Sequence, residues 1–216
     1  MTRTILDNRW YFAGALAMAL LALLALLAIP APTAAAEDQT GWSSDAAHTE
    51  INFSINHFFT PVTGSFSDFD IELDYDAENP EKSSVEVRID VASINTGNEK
   101  RDNHLRSADW FEAEKHPSMT FESTSVRQVN ESQLVATGPL TIKGTSHEVE
   151  LAITLLGKQM IPEPMQPMIG AREVASFRAS TSIDRADFGV GVGNWAETLV
   201  VGAKVDIEIV LEAHNK

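Results

Sequence analysis

The sequence predicts an all-β fold: an eight-stranded antiparallel, lipocalin-like β-barrel with a short helical insert between its third and fourth strands. Apolar and polar residues alternate in many segments, turn residues separate these segments, and one polar run at residues 93–111 interrupts the alternation. Eight strands with one apolar face each can close on themselves and remove exposed edges. A two-sheet sandwich would show the same alternation, so periodicity alone does not decide between the two architectures.

Residues 1–36 are expected to be a secretory signal peptide that precedes the folded domain. A basic start is followed by an Ala- and Leu-rich run from Trp10 to Ile29, and small residues then lead to Ala36. This order predicts cleavage near Ala36 and a periplasmic protein whose mature domain is residues 37–216. The apolar run is also close to the length that spans a bilayer, so a retained membrane anchor is the competing interpretation.

The composition excludes several classes of protein. The chain has 216 residues and a formal net charge of −15, which disfavours binding to nucleic acid. It has no cysteine, so disulfides, thiolate catalysis and cysteine-based metal sites are excluded. The roughly 180 residues after the leader are enough for one hydrophobic core, and nothing predicts a second domain.

The eight predicted strands each have one apolar and one polar face. In the second strand, Phe66 is out of phase with Phe69, which predicts a bulge near Ser67. Turn residues stand at Asn79-Pro80, Asn130-Glu131 and Lys143-Gly144. The strands are expected at residues 51–55, 64–75, 85–91, 118–126, 133–142, 146–156, 177–183 and 205–211.

Two further segments lack strand character. The run from Lys158 to Ala171 has three prolines, which exclude a central strand, and three methionines. Those methionines suit either an adaptable flap at a cavity mouth or a surface loop over one barrel end. The run from Asp184 to Gly202 is rich in glycine, but it lacks the strand–loop–helix context of a phosphate loop.

The chain offers no catalytic motif. The six histidines are scattered without the i, i+4 spacing of a helical zinc site, and there is no Gly-x-Ser-x-Gly elbow. We therefore predict no catalytic residue, no cofactor and no metal site. His57 continues the inward phase of Ile55, so it either contacts a ligand headgroup at the barrel rim or caps the strand by bonding to backbone.

The 93–111 insert contains the other polar candidates. Asp102 and Arg106 are spaced to pair across one helical turn, which favours a short helix that plugs one barrel end. In the alternative, Arg101 and Arg106 recognise an anionic headgroup such as a phosphate. In both cases three residues are expected to face the barrel interior: Leu105, Trp110 and Phe111.

Short motifs in a fixed order connect the chain to a known family. They include Asp45-Ala46-Ala47-His48-Thr49, Gly64-Ser65-Phe66, Ser93-Ile94-Asn95-Thr96-Gly97, Arg101-Asp102-Asn103-His104-Leu105, Asp109-Trp110-Phe111, Gly138-Pro139-Leu140-Thr141-Ile142-Lys143-Gly144 and Asp184-Arg185-Ala186-Asp187-Phe188-Gly189. With them the chain resembles the YceI family of exported lipid-binding proteins from Trp42 to about Ala213. Where the family commonly has His-Ser, this chain has His48-Thr49.

The resemblance implies a lipocalin-like barrel with a long apolar cavity that binds polyisoprenoid or similar amphiphilic chains. We therefore expect a periplasmic carrier for a long-chain isoprenoid or similar lipid. The alternatives are an enzyme that modifies such a lipid through His57, His104 or Arg101, and a structural stress-related protein without ligand. Transient contact with a membrane or membrane protein, and a homodimer, stay open.

The expected ligand contacts are the inward residues of the strands and the insert. The headgroup candidates are His57, Arg101 and Arg106. The full set of expected contacts is Phe53, Ile55, His57, Phe66, Val87, Ile89, Leu105, Trp110, Phe111, Phe121, Leu151, Ile153, Phe177 and Phe188.

Overall fold

The computed structural model describes residues 41–196 and 199–216. The predicted signal peptide at residues 1–36 lies outside these residues, so it stays a prediction. Within the described ranges the fold is all-β with short helices, which confirms the predicted fold class. No helix in these ranges combines the length and apolarity needed to cross a bilayer.

Twelve strands occur in the described part of the chain. They are β1 (Trp42–Ser44), β2 (Glu50–His57), β3 (Thr60–Phe66), β4 (Phe69–Asp74), β5 (Ser84–Asp90), β6 (Ile94–Asn95), β7 (Ser118–Glu122), β8 (Ser125–Asn130), β9 (Gln133–Ile142), β10 (Thr145–Met160), β11 (Glu173–Asp184) and β12 (Val201–Asn215). The α-helices are α1 (Glu99–Arg106) and α2 (Gln166–Ile169), and short 3₁₀ turns include Ala46–His48, Arg185–Phe188 and Gly193–Trp195.

The strand count exceeds eight because two predicted strands are each divided. The 64–75 run breaks at Ser67 and Asp68, where the bulge was expected, and gives β3 and β4. The 118–126 run breaks because Ser123 N still donates to Val85 O at 3.0 Å, whereas Thr124 N donates to Thr137 O at 2.8 Å. The chain therefore leaves β5 at this point and continues as β8 along β9, with which β7 already pairs. The short strands β1 and β6 account for the rest of the difference.

The strands pair antiparallel in the order β4-β5-β7-β9-β10-β11-β12-β2-β3-β6, with β1 on β12 and β8 on β9. The sheet curls because β3 continues through Ser67 and Asp68 into β4, at the opposite end of this order. The architecture is therefore a half-barrel within the predicted class. The Nε1 atom of Trp42 donates to Tyr75 O at 3.0 Å and ties β1 to the end of β4.

The half-barrel has two chemically different ends. At the first, called the helix end, lie α1, the β2–β3 and β9–β10 turns and the segment 185–196. Lys143 Nζ joins these parts, because it donates to Ala108 O at 3.2 Å and to Gly189 O at 3.3 Å. The helical insert thus lies between β5 and β7, the third and fourth predicted strands, as expected.

The second, called the terminal end, holds β1, the last residues of β12 and the β10–β11 connection. Here the Tyr75 ring packs edge-on against Phe177 with ring centroids 5.1 Å apart, and against Trp42 at 5.8 Å. Inward side chains fill the interior near this end with a tight apolar core that includes Ile71, Val87, Phe121, Val126, Leu134, Leu151, Ala179 and Leu211.

Candidate ligand-binding cavity

An apolar cavity of about 390 Å³ occupies the interior toward the helix end. This volume falls within the range of about 300–1,000 Å³ that ligand pockets have. Its walls are inward residues of the sheet, residues of α1 and residues of the segment that follows β11. The polar side chains of the lining are Asn52, Asn56, His57, Thr96, Arg101, His104 and Arg185.

A second cavity of about 50 Å³ lies deeper along the same barrel axis. Successive inward residues of the same strands line the two spaces: Ile89 and then Val87 on β5, and Ile207 and then Ile209 on β12. Residues two apart on a strand point to the same face. The interior is therefore one apolar column that is widest near the helix end and filled toward the terminal end.

The predicted contact residues divide between these two spaces. Those that line the larger cavity are Phe53, Ile55, His57, Phe66, Ile89, Leu105, Trp110, Phe111 and Phe188. Those that line the smaller cavity are Val87, Leu151, Ile153 and Phe177. Phe121 is buried in the core and lines neither space.

Helix α1 is anchored by its own first turn and by the residues before it. Asn98 is the N-cap, and its Oδ1 accepts from Arg101 N at 3.1 Å. Asp102 is buried, and its Oδ1 accepts from Thr96 N at 2.9 Å and from Thr96 Oγ1 at 2.5 Å. The expected Asp102–Arg106 pair is wrong for this reason: the carboxylate turns inward to Thr96 instead of following the helix surface.

The two arginines of α1 have different surroundings. Arg106 donates from Nε to Ala92 O and from Nη2 to Ile94 O, both at 2.8 Å, and so fastens the helix to the segment before it. Arg101 lines the cavity and donates from Nε to Thr96 Oγ1 at 2.7 Å and from Nη2 to Thr96 O at 2.8 Å. These bonds leave Arg101 Nη1 without an acceptor among the described residues, so it is available to a ligand in the cavity.

Sequence reasoning did not identify the most buried charge of the cavity wall. Arg185 is 3% exposed and stacks on Trp110, with its Cζ 5.4 Å from the ring centroid. Its guanidinium donates only to backbone carbonyls, and burial lowers its pKa below the usual value. The carbonyl acceptors are those of Val190, Gly191, Trp195, Val201 and Gly202. An arginine has five N–H donors, so this set occupies the group fully.

The indole N–H of Trp110 is a second unusual group in the cavity wall. The Trp110 ring lines the cavity, and the ring centroid lies 5.8 Å from that of Trp195 and 6.0 Å from that of His104. Trp110 is 6% exposed. Its Nε1 is buried without a hydrogen-bond acceptor among the described residues. A buried donor without a partner costs about 1–3 kcal/mol, so such a group calls for an explanation.

The β2–β3 turn places large apolar side chains at the helix end. Phe59 is 92% exposed, and Phe58 is half-exposed with a φ of 51°, a left-handed conformation that bulky residues rarely adopt. Across the mouth, Leu199 is 74% exposed, and Val200 O accepts from Phe58 N at 2.8 Å. Backbone strain of this kind is common at functional sites, which makes the β2–β3 turn a candidate part of the site.

His57 lies at this rim, exposed and lining the cavity. Its ring contacts Phe58 edge-on, with centroids 4.8 Å apart. In the described part of the chain its side chain makes no hydrogen bond to backbone, so the strand-capping role is not observed. The methionine-rich segment is elsewhere: Met160, Met165 and Met168 are exposed at the terminal end, so a flap at the cavity mouth is excluded for it.

The chain was compared with known proteins. A family model described as "YceI-like domain" matches residues 42–213. A UPF0312 protein of Ectopseudomonas mendocina is 38% identical over 144 residues, which are 66% of this chain and 72% of that protein.

Two solved structures share the fold. The crystal structure of Burkholderia cenocepacia BcnA has a TM-score of 0.71 and 26% identity, and covers 79% of this chain and 99% of that one. A polyisoprenoid binding domain from Saccharophagus degradans, implicated in plant cell wall breakdown, has a TM-score of 0.58 and covers 82% of this chain and 99% of its own. At 15% identity, the second likeness concerns the fold alone.

Gly191 tests how closely the Arg185–Trp110 stack is packed. A Cβ at this position would lie 2.6 Å from Trp110 Cζ3 and 2.8 Å from Arg185 Nη1, at a φ of +61°. We expect Gly191→Ala to lower the free energy of unfolding by about 1–3 kcal/mol beyond the backbone strain, measured by urea denaturation. Gly193→Ala is the matched control, because it has a similar φ of +66° and nothing within 4 Å. Equal losses in the two variants would contradict the packing argument.

Proposed function

We propose that this chain, which belongs to the YceI-like family, binds and carries one long-chain amphiphilic lipid whose apolar part lies in the cavity. The cavity itself is the observation that supports this function, because most of the side chains that line it are aliphatic or aromatic. A polyisoprenoid is the lipid that the YceI resemblance implies, and the polyisoprenoid binding domain from Saccharophagus degradans shares the fold of this chain.

The cavity volume limits how much of such a lipid is enclosed. If each methylene takes about the volume of one water in the liquid, roughly 30 Å³, a cavity of about 390 Å³ holds about a dozen carbons. Burial of about 0.8 kcal/mol per methylene then gives about 10 kcal/mol before the costs of association are subtracted. A longer chain has to extend through the mouth or open the smaller cavity.

The polar groups at the helix end suit the polar headgroup of an amphiphilic lipid. Arg101 offers Nη1, the Trp110 indole offers an N–H without an acceptor in the described residues, and His57 lies at the rim. Arg185 adds a positive charge that no carboxylate of the described residues pairs with directly. A headgroup rich in acceptor oxygens, such as a prenyl phosphate, fits Arg101 Nη1 and the positive charge of Arg185, whose own N–H groups are all bonded to carbonyls.

Binding is favoured over turnover by the nature of the lining. Thr96 supplies the hydroxyl of the described cavity wall, and it is engaged by Asp102 and Arg101. A nucleophile needs a base within hydrogen-bond reach that is free to accept its proton. The filled-barrel, ligand-free alternative is disfavoured by the size of the cavity.

We also propose that the protein works in the periplasm. The support is the leader pattern of residues 1–36, and the physical motive is that a long lipid chain needs shelter from water between membranes.

The apolar mouth suggests how cargo is loaded. Phe58, Phe59 and Leu199 are exposed beside the cavity opening, where a lipid leaving a bilayer would enter. Because the chain carries a net charge of −15, an anionic surface would repel it, and we therefore propose contact with a zwitterionic lipid surface. Insertion of exposed aromatic side chains into the interfacial region supplies the attraction.

Filling the cavity tests the carrier function. Val205 lines the cavity between Ile55 and Ile183, so Val205→Trp is expected to occupy the space of several methylenes and weaken uptake of farnesyl phosphate and geranylgeranyl phosphate about a hundredfold. Binding is measured by native mass spectrometry and by lipid titration. Lys204→Trp, at the exposed neighbouring position, is the matched control and keeps wild-type binding. Unchanged binding in the Val205 variant would refute the cavity as the lipid site.

Removing the exposed ring tests the loading surface. We expect Phe59→Ser to reduce co-sedimentation with phosphatidylcholine vesicles about tenfold, because a large apolar side chain contributes about 1.5–3 kcal/mol when buried. All proteins in this comparison are purified from the same producing cells, so that their N-terminal processing is the same. Met168→Ser is the matched control. Met168 is also a large apolar side chain with high exposure, at 77%, but it lies at the terminal end. Equal losses in both variants would exclude a specific role for the mouth.

A further inference from the structure

Four side chains, two near the start of the domain and two near the end of its last strand, meet on the outer surface of the terminal end. Asp45 and His48 bracket the 3₁₀ turn that follows β1, and Glu212 and His214 stand two residues apart on β12. Residues two apart on a strand point to the same face, and Ser43 pairs in register with His214. The pairing of β1 with β12 therefore brings two imidazoles and two carboxylates together.

The potential ligand atoms form a ring in which imidazole nitrogens and carboxylate oxygens alternate. His48 Nδ1 lies 2.7 Å from Asp45 Oδ2 and 3.9 Å from Glu212 Oε1. His214 Nε2 lies 3.0 Å from Glu212 Oε1 and 4.0 Å from Asp45 Oδ2. One ligand atom each of Asp45, Glu212 and His214 falls within 4.8 Å of the others.

The backbone holds this arrangement in place. Ala47 N donates to Asp45 Oδ1 at 2.9 Å, which leaves Oδ2 turned toward the imidazoles. Asp45 N donates to Glu212 O at 2.8 Å, and Ser43 Oγ donates to His214 O at 3.3 Å. Hydrogen bonds of this kind orient metal ligands in proteins, because they fix the carboxylate and the chain that bears each imidazole.

We propose that Asp45, His48, Glu212 and His214 form a binding site for a divalent transition metal ion of the Zn²⁺ type. Nitrogen and oxygen ligands bind Zn²⁺ at about 2.0–2.2 Å in a tetrahedron, which separates neighbouring ligand atoms by about 3.4 Å. The four N–O separations in the ring scatter on both sides of this value. Asp45, Glu212 and His214 already place one ligand atom each within 4.8 Å of the others, and rotation of the exposed His48 side chain completes the set. Imidazole ligands favour Zn²⁺ over Ca²⁺ and Mg²⁺, which prefer oxygen.

The charges of the ring also suit a dication. Two carboxylates balance the charge of the metal, and neutral imidazoles complete the set. The same groups attract one another directly: the hydrogen bond between them lowers the pKa of the Asp45 carboxyl and raises the pKa of the His48 imidazole.

A metal at this position would staple the start of the domain to its last strand. β1 pairs only through its three residues with the end of β12, and Trp42 depends on that pairing to reach Tyr75. The cavity is lined by β12 residues 201–207, whereas the ring uses Glu212 and His214. The site thus acts on the stability of the terminal end and is independent of the lipid cavity.

The test is a titration of the purified protein with zinc chloride, without a polyhistidine tag. We expect one Zn²⁺ per chain in competition with a chelator dye and a higher melting temperature when zinc is present. Glu212→Gln and His214→Gln are each expected to weaken Zn²⁺ binding by at least about tenfold and to abolish the rise in melting temperature. Absence of stoichiometric binding by the wild-type protein overturns the proposal.

Two further measurements separate metal ligation from a structural role. Bound Co²⁺ gives an intense visible absorption in a tetrahedral site, and His48→Gln should lose it while remaining folded, since the His48 side chain is 67% exposed. His116→Gln is the matched control, because His116 Nε2 faces one carboxylate, that of Glu112, at 3.9 Å. If zinc binding falls equally in His116→Gln, or persists in His214→Gln, the four residues are not the site.

Discussion

The buried guanidinium of Arg185 is the interaction on which the helix end depends. Taking a cation out of water costs several kcal/mol, and here the cost is offset by bonds from its donors to the carbonyls of the segment that joins β11 to β12. Three of these carbonyls, those of Val190, Gly191 and Trp195, belong to irregular backbone without a sheet partner, and the other two, those of Val201 and Gly202, belong to the start of β12. One side chain therefore satisfies several backbone acceptors that would otherwise be unpaired beside an apolar cavity.

The cavity follows from this arrangement. The segment held by Arg185 stands over the barrel interior, Trp110 stacks on the guanidinium, and the residues after α1 are fixed by that stack. Gly191 has no Cβ because the Trp110 ring and the guanidinium occupy that space. The polar bonds of Arg185 thus hold this part of the wall to β12 and to the segment before it.

Alternation predicted the strand faces well, because the period of two is a local property that each segment carries on its own. Thirteen of the fourteen predicted contact residues line one of the two cavities, the bulge was expected at Ser67, and the interruption of the alternation marked the helical insert. Alternation did not predict which strands are neighbours, and for that reason the ring formed by Asp45 and His214 was not found: these residues are far apart in sequence and meet only through the β1–β12 pairing. The predicted Asp102–Arg106 pair was wrong for a similar reason. The helix-spacing rule takes no account of Thr96, a residue outside the helix that binds the Asp102 carboxylate.

The two ends of the half-barrel differ in packing, because the interior is filled at the terminal end and open at the helix end. At the terminal end, aromatic rings interlock, the interior is filled, and β1 closes onto β12 with polar groups gathered around the contact. At the helix end, the interior is open, a Phe is held in a strained turn, and large apolar side chains face solvent. A protein under selection for stability alone would bury those rings and relax that turn. The strained turn and the exposed rings both lie beside the cavity, at the end where the proposed lipid would enter, and the tightly packed apolar core lies toward the opposite end.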